Sequence, residues 1–244
     1  MTTPTAAGVI IGNEVLSGKV WDQNTPALIE ALRRHGVSLL HVALVPDAWE
    51  PLVDEVRRAH QSFDHVFTSG GVGPTHDDIT VPAVAEALGV GLERNARMEA
   101  ILRRLLGRRL TDAHLRMADL PAGAELLGEE ALRVPVVRAK NVWILPGVPK
   151  LFREKLQWIA RQIESDPFHV FTVYVREGEG YLAPLLAKVV VDFPDVPIGS
   201  YPEYEADHAV RITLESKDRS RARAATDRLL ELLPAESVVR VEEG

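Results

Sequence analysis

The amino-acid sequence predicts an α/β fold with a mostly parallel sheet, followed by a small α+β unit. Two observations support this prediction. Short apolar runs alternate with amphipathic helical patterns as far as residue 165, and the order of elements then changes. Such alternation is typical of parallel sheets, because two parallel strands are joined by a crossover that usually contains a helix.

In the first part of the chain the sequence predicts strands that alternate with helices. Residues 9–11 and 65–68 are short apolar runs typical of buried strands. Thr25 followed by Pro26 predicts the start of a helix that ends at Gly36. The same patterns predict a strand at 37–45, helices at 52–59, 80–88, 95–106 and after Pro149, and two strands within 134–145.

A domain boundary is predicted around Asp166, which gives a domain at 1–165 and a second at 166–244. In the second domain we expect strands at 170–175, 198–201, 210–214 and 238–241, and helices at 181–191 and 221–233. The resulting order, β-α-β-β-α-β, is that of a ferredoxin-like unit.

The composition is that of a globular protein. The 244 residues are 46% hydrophobic, and their net charge of −7 does not favour binding to nucleic acid or to an anionic membrane surface. Cysteine is absent, which excludes disulfides and thiolate metal sites. We find no signal peptide and no apolar run that could span a membrane, so we expect a cytoplasmic protein.

The most unusual segment is residues 69–78, which we call the glycine loop. It follows a predicted strand and precedes a predicted helix, where ligands bind in parallel sheets. Its glycines allow backbone N–H groups to approach an anion, and the helix N-terminus adds positive potential. The candidate phosphate-binding residues here are Ser69, Gly70, Gly71, Gly73 and Thr75.

Asp77 and Asp78 are unexpected in an anion site, because two carboxylates repel a phosphate. A divalent cation shared between the carboxylates and the phosphate resolves this conflict. The alternative is that one of them caps the following helix. For the pair we favour a metal-binding or catalytic role.

Two further segments are expected at the same edge of the sheet. Gly12, Glu14 and Asn24 follow the first strand, and Gly147 follows the strand at the end of 134–145. We predict that these residues contact the ligand. Simple turn and capping chemistry is the alternative, which also applies to Asp22.

The motifs together resemble the MoaB/Mog molybdopterin-binding fold, in the variant of the CinA N-terminal domain and of the N-terminal module of FAD synthase. The resemblance covers nearly the whole chain. It rests on the segments 12–18 (GNEVLSG), 22–24 (DQN), 69–80 (SGGVGPTHDDIT) and 145–149 (LPGVP), with 141–145 and 199–202 favouring the FAD synthase module.

The resemblance implies a three-layer αβα MogA-like domain and a homo-oligomer, either a dimer or a trimer. It implies that Gly70, Gly71, Gly73 and Thr75 hold phosphate, while Asp77 and Asp78 serve metal binding or catalysis. The implied activity is hydrolysis of ADP-ribose or FAD with Mg²⁺, Mn²⁺ or Co²⁺.

The motifs are also compatible with two rival hypotheses. One is a non-catalytic molybdopterin binder linked to molybdenum cofactor biosynthesis, and the other is a regulatory protein whose site is a relic without activity. The 244 residues leave no room for a nicotinamide-mononucleotide deamidase domain or an FAD synthase catalytic domain, so we expect neither of those activities.

Overall fold

The computed structural model describes residues 3–204 and 206–244, which form two compact units, one ending at Ser165 and the other beginning at Asp166. In the first unit the strands are β1 Thr5–Ile11, β2 Ser38–Val45, β3 His65–Ser69, β4 Leu92–Arg94, β5 Asp119–Pro121, β6 Glu125–Leu127, β7 Val136–Ala139 and β8 Val142–Leu145. Its helices are α1 Asn13–Leu16, α2 Asn24–Arg34, α3 Trp49–Ser62, α4 Thr80–Ala87, α5 Ala96–Leu106, α6 Asp112–Arg116 and α7 Pro149–Gln162, with a 3₁₀ turn at Gly107–Arg109.

The main sheet of the first unit has the strand order β2-β1-β3-β8-β7-β6. The pairs β1–β2, β1–β3 and β3–β8 are parallel, whereas β7 and β6 are added antiparallel at one edge. The carboxyl ends of four parallel strands therefore meet at one edge, where the glycine loop follows β3.

Helices cover both faces of this sheet. On one face Leu28 of α2 and Phe152 of α7 pack with Phe67 of β3 in one apolar cluster. On the other face Val56 of α3 and Met98 of α5 belong to a second cluster with residues of α4. The three-layer αβα architecture with a mostly parallel sheet is confirmed.

The second unit contains strands β9 His169–Val175, β10 Ile198–Pro202, β11 Val210–Ser216 and β12 Val238–Glu243, helices α8 Glu179–Asp192 and α9 Arg219–Leu232, and a 3₁₀ turn at Ala235–Ser237. Its sheet has the order β10-β11-β9-β12 and every pair is antiparallel. Val173, Leu182 and Leu229 lie in its own apolar core. This is the ferredoxin-like arrangement that the order of elements predicts.

The predicted start of the first long helix was wrong by two residues, because the residue before its first turn is Gln23 and not Thr25. α2 begins at Asn24, and the Asp22 carboxylate accepts hydrogen bonds from the backbone N–H groups of Asn24 at 2.8 Å and of Thr25 at 3.1 Å. Asp22 therefore satisfies the free donors of the first turn, a role that we had given to Thr25.

No prediction was made for the short elements within 13–16, 92–94 and 107–127, which the structure assigns to α1, α6, β4–β6 and a 3₁₀ turn. None of the helices in the described ranges combines the length and the apolar character that crossing a bilayer requires.

Candidate functional site

A cleft of about 520 Å³ opens at the edge where the parallel strands end. Its walls include the last residue of β1, Ile11, and residues within two positions of the ends of the neighbouring strands: Asp47 after β2, Gly70 after β3, and Gly147 after β8. The remaining lining residues are Glu14, Gly71, Val72, Gly73, Asp77, Asp78, Met117, Pro146, Val148 and Leu151. The cleft thus has the position expected for a ligand site in a parallel sheet.

Glycine is required at the start of the glycine loop. Gly70 and Gly71 have φ angles of 110° and 63°, which side chains rarely tolerate. A Cβ atom on Gly70 would lie 2.3 Å from the carbonyl oxygen of Ile11, and one on Gly71 would lie 2.4 Å from Oγ1 of Thr80. The loop can therefore lie this close to β1 and α4 only because both positions lack a side chain.

Thr80, the first residue of α4, holds the loop in place. Its hydroxyl donates a hydrogen bond of 2.8 Å to the carbonyl of Gly70, and its N–H donates one of 3.0 Å to the carbonyl of Gly71. Within the described part of the chain, the N–H groups of Gly71, Val72 and Gly73 donate no hydrogen bond. Three successive backbone donors thus remain free beside the cleft, in front of a helix N-terminus.

The two aspartates of the loop both line the cleft. The carboxylate of Asp78 accepts a hydrogen bond of 2.8 Å from the N–H of Thr75 and a shorter one from the Thr75 hydroxyl. A Cβ atom on Gly73 would lie 2.7 Å from Oδ2 of Asp78. A side chain at position 73 would therefore displace this carboxylate. The pKa of exposed Asp77 lies below its ordinary value, chiefly because the Thr75 hydroxyl is within reach of this carboxylate as well.

Two other carboxylates, those of Glu14 and Asp47, line the same cleft. Glu14 was predicted from the sequence, but Asp47 was missed. The signal for Asp47 was present, since it follows β2 at the carboxyl end of a strand. Its Oδ2 accepts a hydrogen bond of 2.7 Å from the N–H of Asn13, so it also holds the start of α1.

The acidic residues do not form a ready-made metal cage. In residues 3–204 and 206–244, no three His, Cys, Asp or Glu side chains are grouped closely enough to hold a metal ion. The cleft has four acidic residues and no basic residue in its lining. A phosphate there needs a cation to offset the repulsion, and that cation needs oxygen ligands beyond those of the protein.

Seven of the predicted site residues line the cleft, namely Glu14, Gly70, Gly71, Gly73, Asp77, Asp78 and Gly147. The other four do not line it: Gly12, Asn24, Ser69 and Thr75. Asn24 is only 6% exposed, and Ser69 is buried. Asn24 and Ser69 are hydrogen-bonded to each other and support the loops that form the cleft, whereas exposed Thr75 is bonded to Asp78 within the glycine loop.

Comparison with known proteins connects this geometry to a family. The family model described as "Probable molybdopterin binding domain" matches residues 7–165, which include the whole cleft. The chain belongs to this molybdopterin-binding domain family. Residues 167–242 match a second model, described as the middle domain of FAD synthase. The resemblance predicted from the motifs is confirmed.

Several relatives match this chain over most of its length. A protein of Archaeoglobus fulgidus is 29% identical over 92% of this chain and 96% of its own length. A "Probable FAD synthase" of Caenorhabditis briggsae is 31% identical over 94% of this chain, and a "CinA-like protein" of Anaeromyxobacter sp. (strain K) is 33% identical over 84%. The chain spans about half the length of these last two relatives, 49% and 47%.

A solved structure supports the same assignment. The crystal structure of the CinA protein from Thermoplasma acidophilum, whose function is described as unknown, superposes with a TM-score of 0.60 at 29% identity. The match covers 66% of this chain and 98% of the other chain. The molybdopterin-binding domain is thus the part of the chain for which both family and fold are supported.

Proposed function

We propose that this protein is a divalent-metal-dependent nucleotide pyrophosphatase that cleaves the diphosphate bond of ADP-ribose or FAD. The single observation behind the proposal is that three free backbone donors, at Gly71, Val72 and Gly73, share one cleft with four carboxylates. The donors suit a phosphate, and the carboxylates suit the cation that a diphosphate would bring with it. The relatives described as FAD synthases favour a nucleotide ligand.

The donor set fits a hard divalent ion such as Mg²⁺, Mn²⁺ or Co²⁺. Mg²⁺ commonly binds through one or two carboxylates, keeps several waters, and takes further ligands from substrate phosphates. Asp77 and Asp78 would hold the ion, and Glu14 and Asp47 line the same cleft. The ion would offset the negative charge of the diphosphate and of the five-coordinate phosphorus that forms as water attacks.

The residues of the chain have separate tasks in the proposed reaction. The free N–H groups of the glycine loop bind and orient one phosphate, so that water attacks its phosphorus and the bond to the bridging oxygen breaks. ADP-ribose would give AMP and ribose 5-phosphate, whereas FAD would give AMP and FMN. Asp77 is ionised at neutral pH, and the hydroxyl of Thr75 lowers its pKa further, which suits cation binding better than proton donation.

A non-catalytic role is the second candidate. The match of residues 7–165 to the molybdopterin-binding domain family favours a pterin ligand linked to molybdenum cofactor biosynthesis. A pterin phosphate would use the same N–H groups of the glycine loop without turnover. A cytoplasmic location and a dimeric or trimeric state remain predictions under either candidate.

The decisive experiment incubates the purified protein with ADP-ribose or FAD and each of Mg²⁺, Mn²⁺ and Co²⁺, and measures AMP by chromatography. We expect AMP only when a metal is present. Asp77→Asn and Asp78→Asn should each lower the rate at least about tenfold, because each removes a charge beside the phosphates. His76→Ala is the matched control, since the His76 side chain is 98% exposed and lies beside Asp77 in the same loop.

Three results would count against the pyrophosphatase. One is the absence of AMP with every metal, and another is AMP formation unchanged in both aspartate variants. The third is tight retention of a molybdopterin through purification with no hydrolysis of either nucleotide, which would establish the non-catalytic alternative instead.

A further inference from the structure

We infer that a second, apolar pocket beside the cleft binds the flat heteroaromatic ring of the same ligand whose phosphates occupy the cleft. This inference rests on the proposed function for the position of the phosphates. It adds a ring-binding subsite and a residue, Lys155, that would bind the polar edge of the ring.

The pocket has a volume of about 430 Å³ and is lined by residues of α5, of α7 and of the sheet. Met98 and Leu102 of α5, Val137 of β7 and Ile144 of β8 form its walls. A pocket of a few hundred Å³ with apolar walls and few polar groups is typical of small-molecule sites. Two methionines, Met98 and Met117, line it, and thioethers make favourable contacts with aromatic rings.

The pocket and the cleft are neighbours. Val72 of the glycine loop, Met117, Pro146 and Leu151 line both of them. The apolar space therefore lies next to the N–H groups of residues 71–73, on the other side of Val72. A nucleotide has this combination of a charged diphosphate and a flat ring.

Lys155 is the buried polar group of the pocket. It is 9% exposed, and its ammonium donates hydrogen bonds of 2.6 Å each to the backbone carbonyls of Val134 and Pro135. An ammonium has three protons, so one donor remains beyond these two bonds. Burial lowers the pKa of Lys155 to about 8. A ring carbonyl or ring nitrogen is the acceptor that this third donor would satisfy.

The test separates the two subsites by using probes that each fit only one of them. Inorganic pyrophosphate with Mg²⁺ probes the cleft, and riboflavin, adenosine and a phosphate-free pterin probe the pocket, all by calorimetry. We expect pyrophosphate and at least one ring compound to bind together without competing. FAD or ADP-ribose should displace both, and riboflavin fluorescence should be quenched where riboflavin is the ring compound that binds.

Variants then locate the ring. Val137→Phe fills the pocket and should weaken binding of the ring compound at least about tenfold while leaving pyrophosphate affinity unchanged. Val191→Phe, at a position 78% exposed in the second unit, is the size-matched control. Lys155→Met should weaken the ring compound several-fold if Val137→Phe does not fold, and Lys188→Met, at an exposed position of α8 that does not line the pocket, should not.

The outcomes keep the two proposals apart. Pyrophosphate binding without any ring binding overturns the pocket and leaves the cleft intact. Ring binding without pyrophosphate binding supports the pocket and contradicts the proposed function. Failure of all probes overturns both, and ring binding that neither Val137→Phe nor Lys155→Met weakens places the ring elsewhere.

Discussion

The side-chain amide of Asn24 donates a hydrogen bond of 2.8 Å to the hydroxyl of Ser69, although the two residues are 45 positions apart. The same amide donates a second bond of 2.8 Å to the carbonyl of Gly147. Asn24 thereby connects the start of α2 to the ends of β3 and β8. It acts as a positioning residue that fixes two walls of the cleft relative to each other.

We therefore expect Asn24→Ala to loosen the cleft as well as destabilise the fold. Losing hydrogen bonds between buried groups costs about 1–3 kcal/mol in free energy of unfolding. Urea unfolding would measure this loss, and calorimetry with Mg²⁺-pyrophosphate would show affinity falling several-fold. Gln23→Ala is the matched control, because Gln23 is exposed and its side chain accepts a hydrogen bond of 2.9 Å from Arg153 at the surface. Equal effects of the two variants would contradict the positioning role.

The glycine loop provides a comparison between two glycines of positive φ. Gly70→Ala brings a Cβ atom to 2.3 Å from a backbone carbonyl that cannot move easily, whereas Gly18, with φ of 72°, has open space around it. We expect Gly18→Ala to cost about 1 kcal/mol from backbone strain alone. Gly70→Ala should cost clearly more and should weaken pyrophosphate binding.

Thermal unfolding of the two glycine variants in parallel would measure this difference. Similar melting temperatures would mean that the backbone of β1 and the glycine loop can separate at no cost. The close packing of Gly70 against Ile11 would then have no role in shaping the cleft.

Much of this arrangement could be predicted from local sequence. The glycine loop was identifiable because an apolar strand leads directly into Gly70 and Gly71, and a helix follows. The contact between Asn24 and Gly147 could not be predicted, since it joins residues 123 positions apart. Short elements such as β4 and α6 carry too few residues for a periodic pattern, and tertiary packing decides their structure.

The chemistry of the cleft was also only partly predictable. Asp77 and Asp78 were identified because acids in a phosphate loop are unusual. Asp47 and Lys155 were missed, since a lone acid after a strand and a lysine in an amphipathic helix are both common. Only the folded chain shows that Asp47 faces the same cleft and that Lys155 is buried.

Thr75 links the two acids of the loop, and its hydroxyl is the main cause of the lowered pKa of Asp77. Thr75→Val should therefore raise the pKa of Asp77 towards its ordinary value, whereas Thr75→Ser should keep it low. Any stability that comes from the lowered pKa is fully present at a pH above the ordinary pKa of an aspartate. It is lost as the pH falls through the pKa of Asp77 in the folded protein. Carboxyl carbon shifts in an NMR pH titration would measure the change, and identical titrations in all three proteins would contradict it.

Lys155 gives a prediction at alkaline pH. Its pKa is about 8 in the folded protein, against 10.5 for an ordinary lysine, so the unfolded chain binds more protons between these two values. Stability should then rise with pH across this window, by at most about 3 kcal/mol from a shift of this size. The burial penalty is fully present below pH 8.

The measurement is the free energy of unfolding at pH 7.5 and at pH 10 for three proteins. The wild type should gain stability relative to Lys155→Met over this interval. Lys150→Met, which removes an exposed lysine of the same helix, should follow the wild type. A constant difference between wild type and Lys155→Met at both pH values would show that the amine titrates normally.

The absence of a group of three acids in the described residues leads to the last prediction. If the ion takes ligands from both the carboxylates and the diphosphate, metal and nucleotide must strengthen each other's binding by the same factor. Electron paramagnetic resonance titrations should therefore show weak binding of Mn²⁺ to the protein alone. With ADP-ribose present, Mn²⁺ should bind at least about tenfold more tightly, after correction for the Mn²⁺ that ADP-ribose binds in solution. Asp77→Asn should reduce this coupling, while His76→Ala should preserve it. Tight binding of Mn²⁺ without nucleotide would mean that the protein alone supplies enough ligands. That result would contradict the prediction that the diphosphate completes the site.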